Sequence, residues 1–281
     1  MNTSQPLSFA VFGNPIKQSR SPFIHQSFAA QAGLQLKYRA IRVEDGDFPR
    51  AVNAFFDGGG SGLNVTVPFK EEAFAMAAQR TARAARAGAA NTLWRDDSGV
   101  LHGDNTDGVG LVRDMVANLG WTVHGTEMLI VGAGGAVRGI LEPLLAERPA
   151  SVHIVNRTVE RAEQLAREFA DAGTITAGSY DELHGRQFDL IINASSAGLH
   201  GEAPVLPSTL VRERCCCYDL LYGSEPTPFM RWSAQSAAWA VSDGLGMLVE
   251  QAAESFFRWH RVRPETGPVI HDLRGVLAAA A

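Results

Sequence analysis

The run Glu127-Met-Leu-Ile-Val131-Gly-Ala-Gly-Gly-Ala136, followed by Val137, Ile140, Leu141, Leu144 and Leu145, reads as a buried strand, a glycine turn and the apolar face of a helix. Residues 151–155 supply the next strand. Such a turn lets the backbone approach a pyrophosphate, and the N–H groups and dipole of the following helix stabilise its charge. Gly132 and Gly134 fit the dinucleotide fingerprint G-x-G-x-x-G, while Val137 stands at its sixth position. The strand–turn–helix–strand context carries the reading.

The end of the second strand discriminates between dinucleotides. An NAD site usually places Asp or Glu there to bind the ribose 2′-hydroxyl. This chain has Asn156, Arg157 and Thr158, with Arg161 one helical turn further on. A carboxylate would repel a 2′-phosphate, whereas guanidinium forks match its oxygens, so NADP is expected. The ordinary alternative is a pair of solvated arginines at a helix start, where cations are mildly unfavourable.

On both sides of this unit the chain continues to alternate strand and helix. Residues 9–12 read as a strand, 22–32 as a helix, 36–43 as a strand, 48–57 as a helix and 62–66 as a strand, with Pro68 opening another helix. A strand at 90–94 and a hairpin through Asp96-Asp-Ser-Gly99 lead to a helix over 108–119. Beyond the glycine turn lie strands at 188–192 and at the cysteines, and then a long helix over 245–259. The expected fold is α/β with two domains. An N-terminal α/β substrate domain takes residues 1–107 and 245–281, its C-terminal helices returning to it, and a Rossmann-type doubly wound NADP-binding domain takes 108–244.

A net charge of −5 with dispersed Lys and Arg argues against nucleic acid or an anionic membrane as partner. No apolar stretch is long enough to span a bilayer and no leader pattern opens the chain, so a cytoplasmic protein is expected, with monomer and homodimer both open. Arg80, Arg83 and Arg86, spaced by three in an Ala-rich stretch, read as a solvated helix face. Cys215, Cys216 and Cys217 are consecutive, and strand neighbours point to opposite faces. They read as small strand residues in a reducing compartment. The eight histidines lack metal-type spacing, so no metal is expected.

Outside the glycine-turn unit, polar residues gather at strand ends and loop starts. Ser19 and Ser21 flank a helix start, where capping and ligand binding are equally good readings. Asn64 and Thr66 share one side of a strand, and Lys70 lies a turn beyond. Asn91, Asn105 and Asp107 come from later turns. One Lys and one Asp facing a ligand form a proton-transfer pair for carbinol–carbonyl interconversion; a surface ion pair or a helix cap at Asp107 is the plain alternative. Met247 and Gln251, four apart, share a helix face, and a core methionine with a solvated glutamine would look the same.

From Phe9 to Ile270 the chain resembles the shikimate dehydrogenase family. The matching motifs are Phe12-Gly-Asn-Pro-Ile16 with Ser19-Arg-Ser-Pro22, Asn64-Val-Thr-Val-Pro-Phe-Lys70, Ala90-Asn-Thr-Leu93 and Asn105-Thr-Asp-Gly108. Gly132 to Ala136, Asn156-Arg-Thr158, Tyr218-Asp-Leu-Leu-Tyr222, Thr227-Pro-Phe229 and Asp243-Gly-Leu-Gly-Met-Leu-Val-Glu-Gln251 continue the series. The resemblance implies reversible reduction of 3-dehydroshikimate to shikimate by NADPH, with Lys70 and Asp107 catalytic. It assigns the substrate carboxylate to Ser19, Ser21 and Tyr222 and the ring hydroxyls to Asn64, Thr66, Asn91, Asp107 and Gln251. It places the cofactor phosphates at Gly132, Ala133, Gly134, Gly135 and Ala136, and the 2′-phosphate at Asn156, Arg157, Thr158 and Arg161. The nicotinamide falls near Ser195, Leu220, Gly244 and Met247. Ser195, Ala197, Ala90 and Arg261 depart from the family's usual Thr, Ser, Val and Gly, and none removes a catalytic group. Alternatives are a quinate/shikimate dehydrogenase using NAD, which Ser19, Tyr222 and Arg157 disfavour, a catalytically silent nucleotide-binding regulator, and another two-lobed dehydrogenase of the methylenetetrahydrofolate type.

Overall fold

The computed structural model describes residues 6–279. The chain through Gly110, with Val249–Val269, forms one compact unit; Leu111–Leu248, with the segment from Ile270, forms a second.

The first unit follows the alternation in the sequence: β1 (Leu7–Gly13), α1 (Ser21–Ala32), β2 (Leu36–Arg42), α2 (Phe48–Asp57), β3 (Gly60–Val65), α3 (Lys70–Met76), β4 (Gln79–Arg80), α4 (Ala82–Ala87), β5 (Thr92–Arg95), β6 (Leu101–Asp104) and α5 (Asp107–Arg113). Its sheet has the order β2-β1-β3-β5-β6-β4, with β1 parallel to β2 and β3, and β5 antiparallel to β3 and β6. Period-two alternation splits β1 between two cores. Ala10 and Phe12 pack with Phe48, Val52, Phe56, Leu63 and Phe69, while Phe9 and Val11 pack with Ile16, Tyr38 and Trp259. Pro68 does not open α3: Phe69 N–H bonds back to the Thr66 carbonyl, and the helix starts at Lys70.

The three spaced arginines are not a solvated helix face. Arg80 lies in β4, before α4, and its guanidinium donates to the carbonyls of Phe74, Ala75 and Ala77. Arg83 forks onto Asp104 (Nε–Oδ1 2.7 Å, Nη2–Oδ2 2.6 Å) and reaches Glu254 at 3.0 Å. Thr81, which caps α4, and Arg258 complete the shell of the fully buried Asp104. Burial pushes the Asp104 carboxyl up, but the Arg83 fork, with Thr81 and Arg258, holds it below its ordinary value of 3.8. Arg83→Ala removes the forked cation from that shell, leaving Thr81, the Asn105 N–H and Arg258, and should cost about 3 kcal/mol in urea unfolding. Because the folded value is depressed, the stabilisation is fully present above pH 3.8 and is lost as pH falls through the folded value. The variant should therefore differ from the parent least at strongly acidic pH.

The second unit holds β7 (Glu127–Val131), α6 (Gly135–Ala146), β8 (Ser151–Val155), α7 (Val159–Glu168), β9 (Ile175–Gly178), β10 (Phe188–Asn193), β11 (Val211–Asp219), α8 (Pro228–Gln235) and β12 (Ala240–Ser242). Its strands are parallel in the order β12-β11-β10-β7-β8-β9. That is the doubly wound dinucleotide order, reversing between β7 and β10. Cys215 and Cys217 face one core and Cys216 the other, as strand alternation requires. All three thiols are free.

Helix α9 (Leu245–His260) begins in the second unit and ends in the first. The last helix, α10 (Gly267–Ala279), groups from Ile270 with the second unit, although the sequence reading assigned all of 245–281 to the first. Within that segment Arg274 forks its guanidinium onto Asp243 with two bonds of 2.6 Å.

Candidate active site

In the first unit, β3 and β5 bring the ends of three segments together. Lys70 opens α3, and its carbonyl accepts from Ala90 N–H at 2.8 Å, which ties the helix start to the approach to β5. Asp107 opens α5, where the helix dipole favours a carboxylate. Its N–H donates to the Asn105 side chain, and Asn105 is tied by its amide to the Ala89 carbonyl. Lys70 Nζ donates to Asp107 Oδ2 at 2.5 Å, and Asn91 Nδ2 donates to Asp107 Oδ1 at 2.8 Å. Gln251 Oε1 lies 3.3 Å from the same Asn91 nitrogen. The ammonium keeps 29% of its side-chain surface exposed, so donors remain to meet a ligand oxygen. The ordinary alternative of an exposed surface pair does not describe Asp107, which is 14% exposed and held at both oxygens.

Asn64 is held by neighbours within the unit. Its Oδ1 accepts from Tyr38 at 2.7 Å, and its Nδ2 lies within reach of the Asn91 carbonyl, Thr92 Oγ1 and Ser255 Oγ. The side chain is part of a buried polar brace under Asn91, with Thr66 one step beyond β3 and half-buried. Tyr38 stacks on His25 at 4.4 Å and 7°. Burial, with His260 nearby, lowers the His25 pKa to about 3, so the brace rests on a neutral ring. Ser19 Oγ accepts from Ser21 N–H, the first of α1, at 3.3 Å, and Arg20 at the N-cap position makes no side-chain capping bond.

Sequence reasoning passed over Tyr38, Thr92 and Ser255. Ser255 lies four residues after Gln251 on α9, a spacing that could have flagged it.

The second unit presents a cleft of about 920 Å³ at the carboxyl ends of β7, β8 and β10. Gly132, Ala133, Gly134, Asn156, Arg157, Thr158, Arg161 and Ser195 line it. Gly132 has φ +116°, and a Cβ there would lie 2.9 Å from the Ala194 carbonyl oxygen, so only glycine lets the ends of β7 and β10 come this close. Gly134 caps α6 without a side-chain bond, leaving the first N–H groups of that helix, at Gly135 and Ala136, available to an anion. Arg157 and Arg161 are exposed at the rim, and among the described residues neither joins an ion pair. The glycine cradle, the open helix terminus and the two free guanidiniums fit a phosphorylated dinucleotide. Tyr180, Asp181, His184 and the segment 202–207 also line the cleft and escaped the sequence reading, because β9 before Tyr180 is short and weakly patterned.

Leu220, Gly244, Met247 and Tyr222 do not line that cleft; they lie just past β11 and β12 in the same unit. Ser195 hydroxyl donates to Asn193 Oδ1 at 2.7 Å, and Asn193 donates to the buried Asp219 at 3.0 Å. Leu220 N–H bonds to the Asn193 carbonyl. The rim beside β10 and β11 is thus fixed by hydrogen bonds from within.

Comparison with known proteins agrees along the chain. Residues 11–93 match the family described as shikimate dehydrogenase substrate binding domain, 115–208 shikimate / quinate 5-dehydrogenase, and 244–271 shikimate 5′-dehydrogenase C-terminal domain. The shikimate dehydrogenase (NADP(+)) of Cellvibrio japonicus is 53% identical over 266 residues, covering 95% of this chain and 96% of the relative. Among solved structures, an Ael1 enzyme from Pseudomonas putida superposes with TM-score 0.91 at 42% identity, covering 95% of this chain and 98% of that one. Shikimate 5-dehydrogenase from Thermus thermophilus, solved with NADP(H) and shikimate, superposes with TM-score 0.86 at 31% identity, covering 96% of this chain and 100% of that one. With three successive domain matches and a full-length relative sharing half its residues, the chain belongs to the shikimate dehydrogenase family.

Proposed function

We propose that this protein is an NADP-dependent shikimate dehydrogenase, which reversibly reduces 3-dehydroshikimate to shikimate in aromatic amino acid biosynthesis. The observation that carries the reading is the Lys70–Asp107 pair, an ammonium and a carboxylate 2.5 Å apart and braced by Asn91. NADPH supplies the hydride when bound. Lys70 donates to the carbonyl oxygen of the ketone and delivers the proton as that oxygen becomes an alcohol; Asp107 orients the ammonium and accepts from a ring hydroxyl. Ser19, Ser21 and Tyr222 hold the substrate carboxylate, and Asn64, Thr66, Asn91 and Gln251 complete the hydroxyl contacts. The glycine turn Gly132–Ala136 takes the pyrophosphate, and Asn156, Arg157, Thr158 and Arg161 take the 2′-phosphate. Ser195, Leu220, Gly244 and Met247 lie against the nicotinamide.

The reading extends to a cytoplasmic monomer or homodimer. Three free thiols support a reducing compartment, and among the described residues no helix is long and apolar enough to cross a membrane. Steady-state oxidation of shikimate, followed by nicotinamide absorbance with NADP and NAD in parallel and quinate as the competing substrate, tests it. Turnover should be fastest with shikimate and NADP. Tight NADPH binding without turnover would leave a nucleotide-binding regulator instead, and preference for quinate with NAD would move the protein to the other branch of the family.

A further inference from the structure

We infer that Asp114 and Tyr218 are positioning residues for hydride transfer, which fix the first turn of α9 at the height the nicotinamide ring requires. The inference rests on the function proposed above. Its starting point is topology. The strand order reverses between β7 and β10, and a dinucleotide lies across that reversal. With its 2′-phosphate held beyond β8, the other half of a bound dinucleotide would extend over the ends of β10, β11 and β12, where Gly244 and Met247 would face it.

Met247 belongs to the first turn of α9, where backbone N–H groups lack partners within the helix. Its N–H donates to the Tyr218 hydroxyl at 3.3 Å, and that hydroxyl donates to Asp114 Oδ2 at 2.7 Å. Asn118 Nδ2 donates to the other carboxylate oxygen at 2.9 Å. Asp114 and Tyr218 are both buried, and the Tyr218 ring packs in a core with Met115, Trp121 and Met128. Burial, with Asp114 alongside, raises the Tyr218 pKa well above its ordinary value, so the hydroxyl stays a donor.

Two local features accommodate this contact. The helix that begins as α5 widens into a π turn at Asp114–Asn118, shown by Leu119 N–H bonding to the Asp114 carbonyl five residues back; such turns recur at functional sites. Gly246 lies so near the carboxylate that a Cβ would stand 2.0 Å from Asp114 Oδ1. The residue before the helix is fixed as well, because Asp243 accepts from Leu245 N–H and is clamped by Arg274. A leucine and a phenylalanine would fill the same volume but would take away the acceptors of the Met247 N–H and the Asn118 amide. What the polar pair adds is a fixed position for the backbone that carries Met247.

The test uses the full chain, with shikimate and NADP. Tyr218→Phe removes the hydroxyl and keeps the ring. Its kcat should fall about ten- to a hundredfold, the cost of misplacing reacting groups by a fraction of an ångström to an ångström. The primary deuterium isotope effect with shikimate labelled at the carbinol carbon that gives up the hydride should rise, while the KM for shikimate and the Kd for NADP change by about twofold at most. Asp114→Asn, whose amide oxygen can still accept from Tyr218, should keep most of the activity, and Asp114→Ala should reproduce Tyr218→Phe. Unchanged kcat and isotope effect in Tyr218→Phe overturn the inference. So does a loss of kcat at constant isotope effect that tracks a fall in Tm. If Tyr218→Phe does not fold, the Asp114→Asn and Asp114→Ala pair decides by the same readouts, and equal isotope effects there overturn it. Absence of NADP-linked shikimate oxidation in the unaltered chain overturns the proposed function itself and takes this inference with it; normal parental turnover with a silent Tyr218→Phe overturns the inference alone.

Discussion

Lys70→Ala should lower kcat by about two to four orders of magnitude with a much smaller change in KM, the pattern for loss of a group that moves a proton in the transition state. The structure gives reasons to expect a folded variant. The Lys70 carbonyl still accepts from Ala90 N–H, so the start of α3 keeps its anchor. Asp107 loses the ammonium at Oδ2 but keeps Asn91 at Oδ1 and its place at the start of α5. Steady-state kinetics with shikimate, beside thermal unfolding of the same preparation, checks both halves. Unchanged Tm with kcat down a thousandfold places Lys70 in the chemistry. A variant that keeps most of its kcat removes Lys70 from the mechanism and leaves the pair as a structural brace.

The readiness with which the sequence yielded this pair follows from where its members stand. Lys70 and Asp107 each open a helix immediately after a strand or turn, and Gly132 follows a strand of five apolar or half-buried residues. Positions at strand–helix junctions are marked by local punctuation, and so they can be read one segment at a time. The partners behind them are not marked. Tyr38 and Ser255 come from β2 and α9, 26 residues before Asn64 and 191 after it, and only tertiary packing brings them to that amide. Arg83 failed for the same reason: its spacing with Arg80 and Arg86 is compatible with an exposed face, but the six-residue α4 begins beyond Arg80, and a buried carboxylate from β6 claims the middle guanidinium. The fork between Arg274 of the last helix and Asp243 is likewise a pairing that no periodicity announces.

Arg157→Asp should lower kcat/KM for NADP by about two to three orders of magnitude and leave kcat/KM for NAD unchanged or improved. Two effects add. The substitution removes a charge-assisted fork, worth about ten- to a hundredfold when its phosphate partner is desolvated, and it puts a carboxylate where the 2′-phosphate must lie. The same carboxylate can accept from the 2′-hydroxyl of NAD, as an acid after the second strand does in NAD enzymes. The fold should not suffer, because Arg157 is exposed on the rim of the cleft, where Tyr180 is an electrostatic neighbour, and joins no ion pair among the described residues. Arg161→Ala offers the graded comparison: one turn further along α7, it supplies a second cation without occupying the strand end, so its loss should weaken NADP use by about tenfold and do nothing to NAD. Salt separates the two explanations that remain. If both arginines act only by diffuse attraction, raising ionic strength should erase the difference between parent and variant. Direct contact with the 2′-phosphate predicts that most of the NADP discrimination survives at high salt, and equal kcat/KM ratios for the two cofactors in parent and Arg157→Asp would remove the guanidinium from cofactor choice altogether.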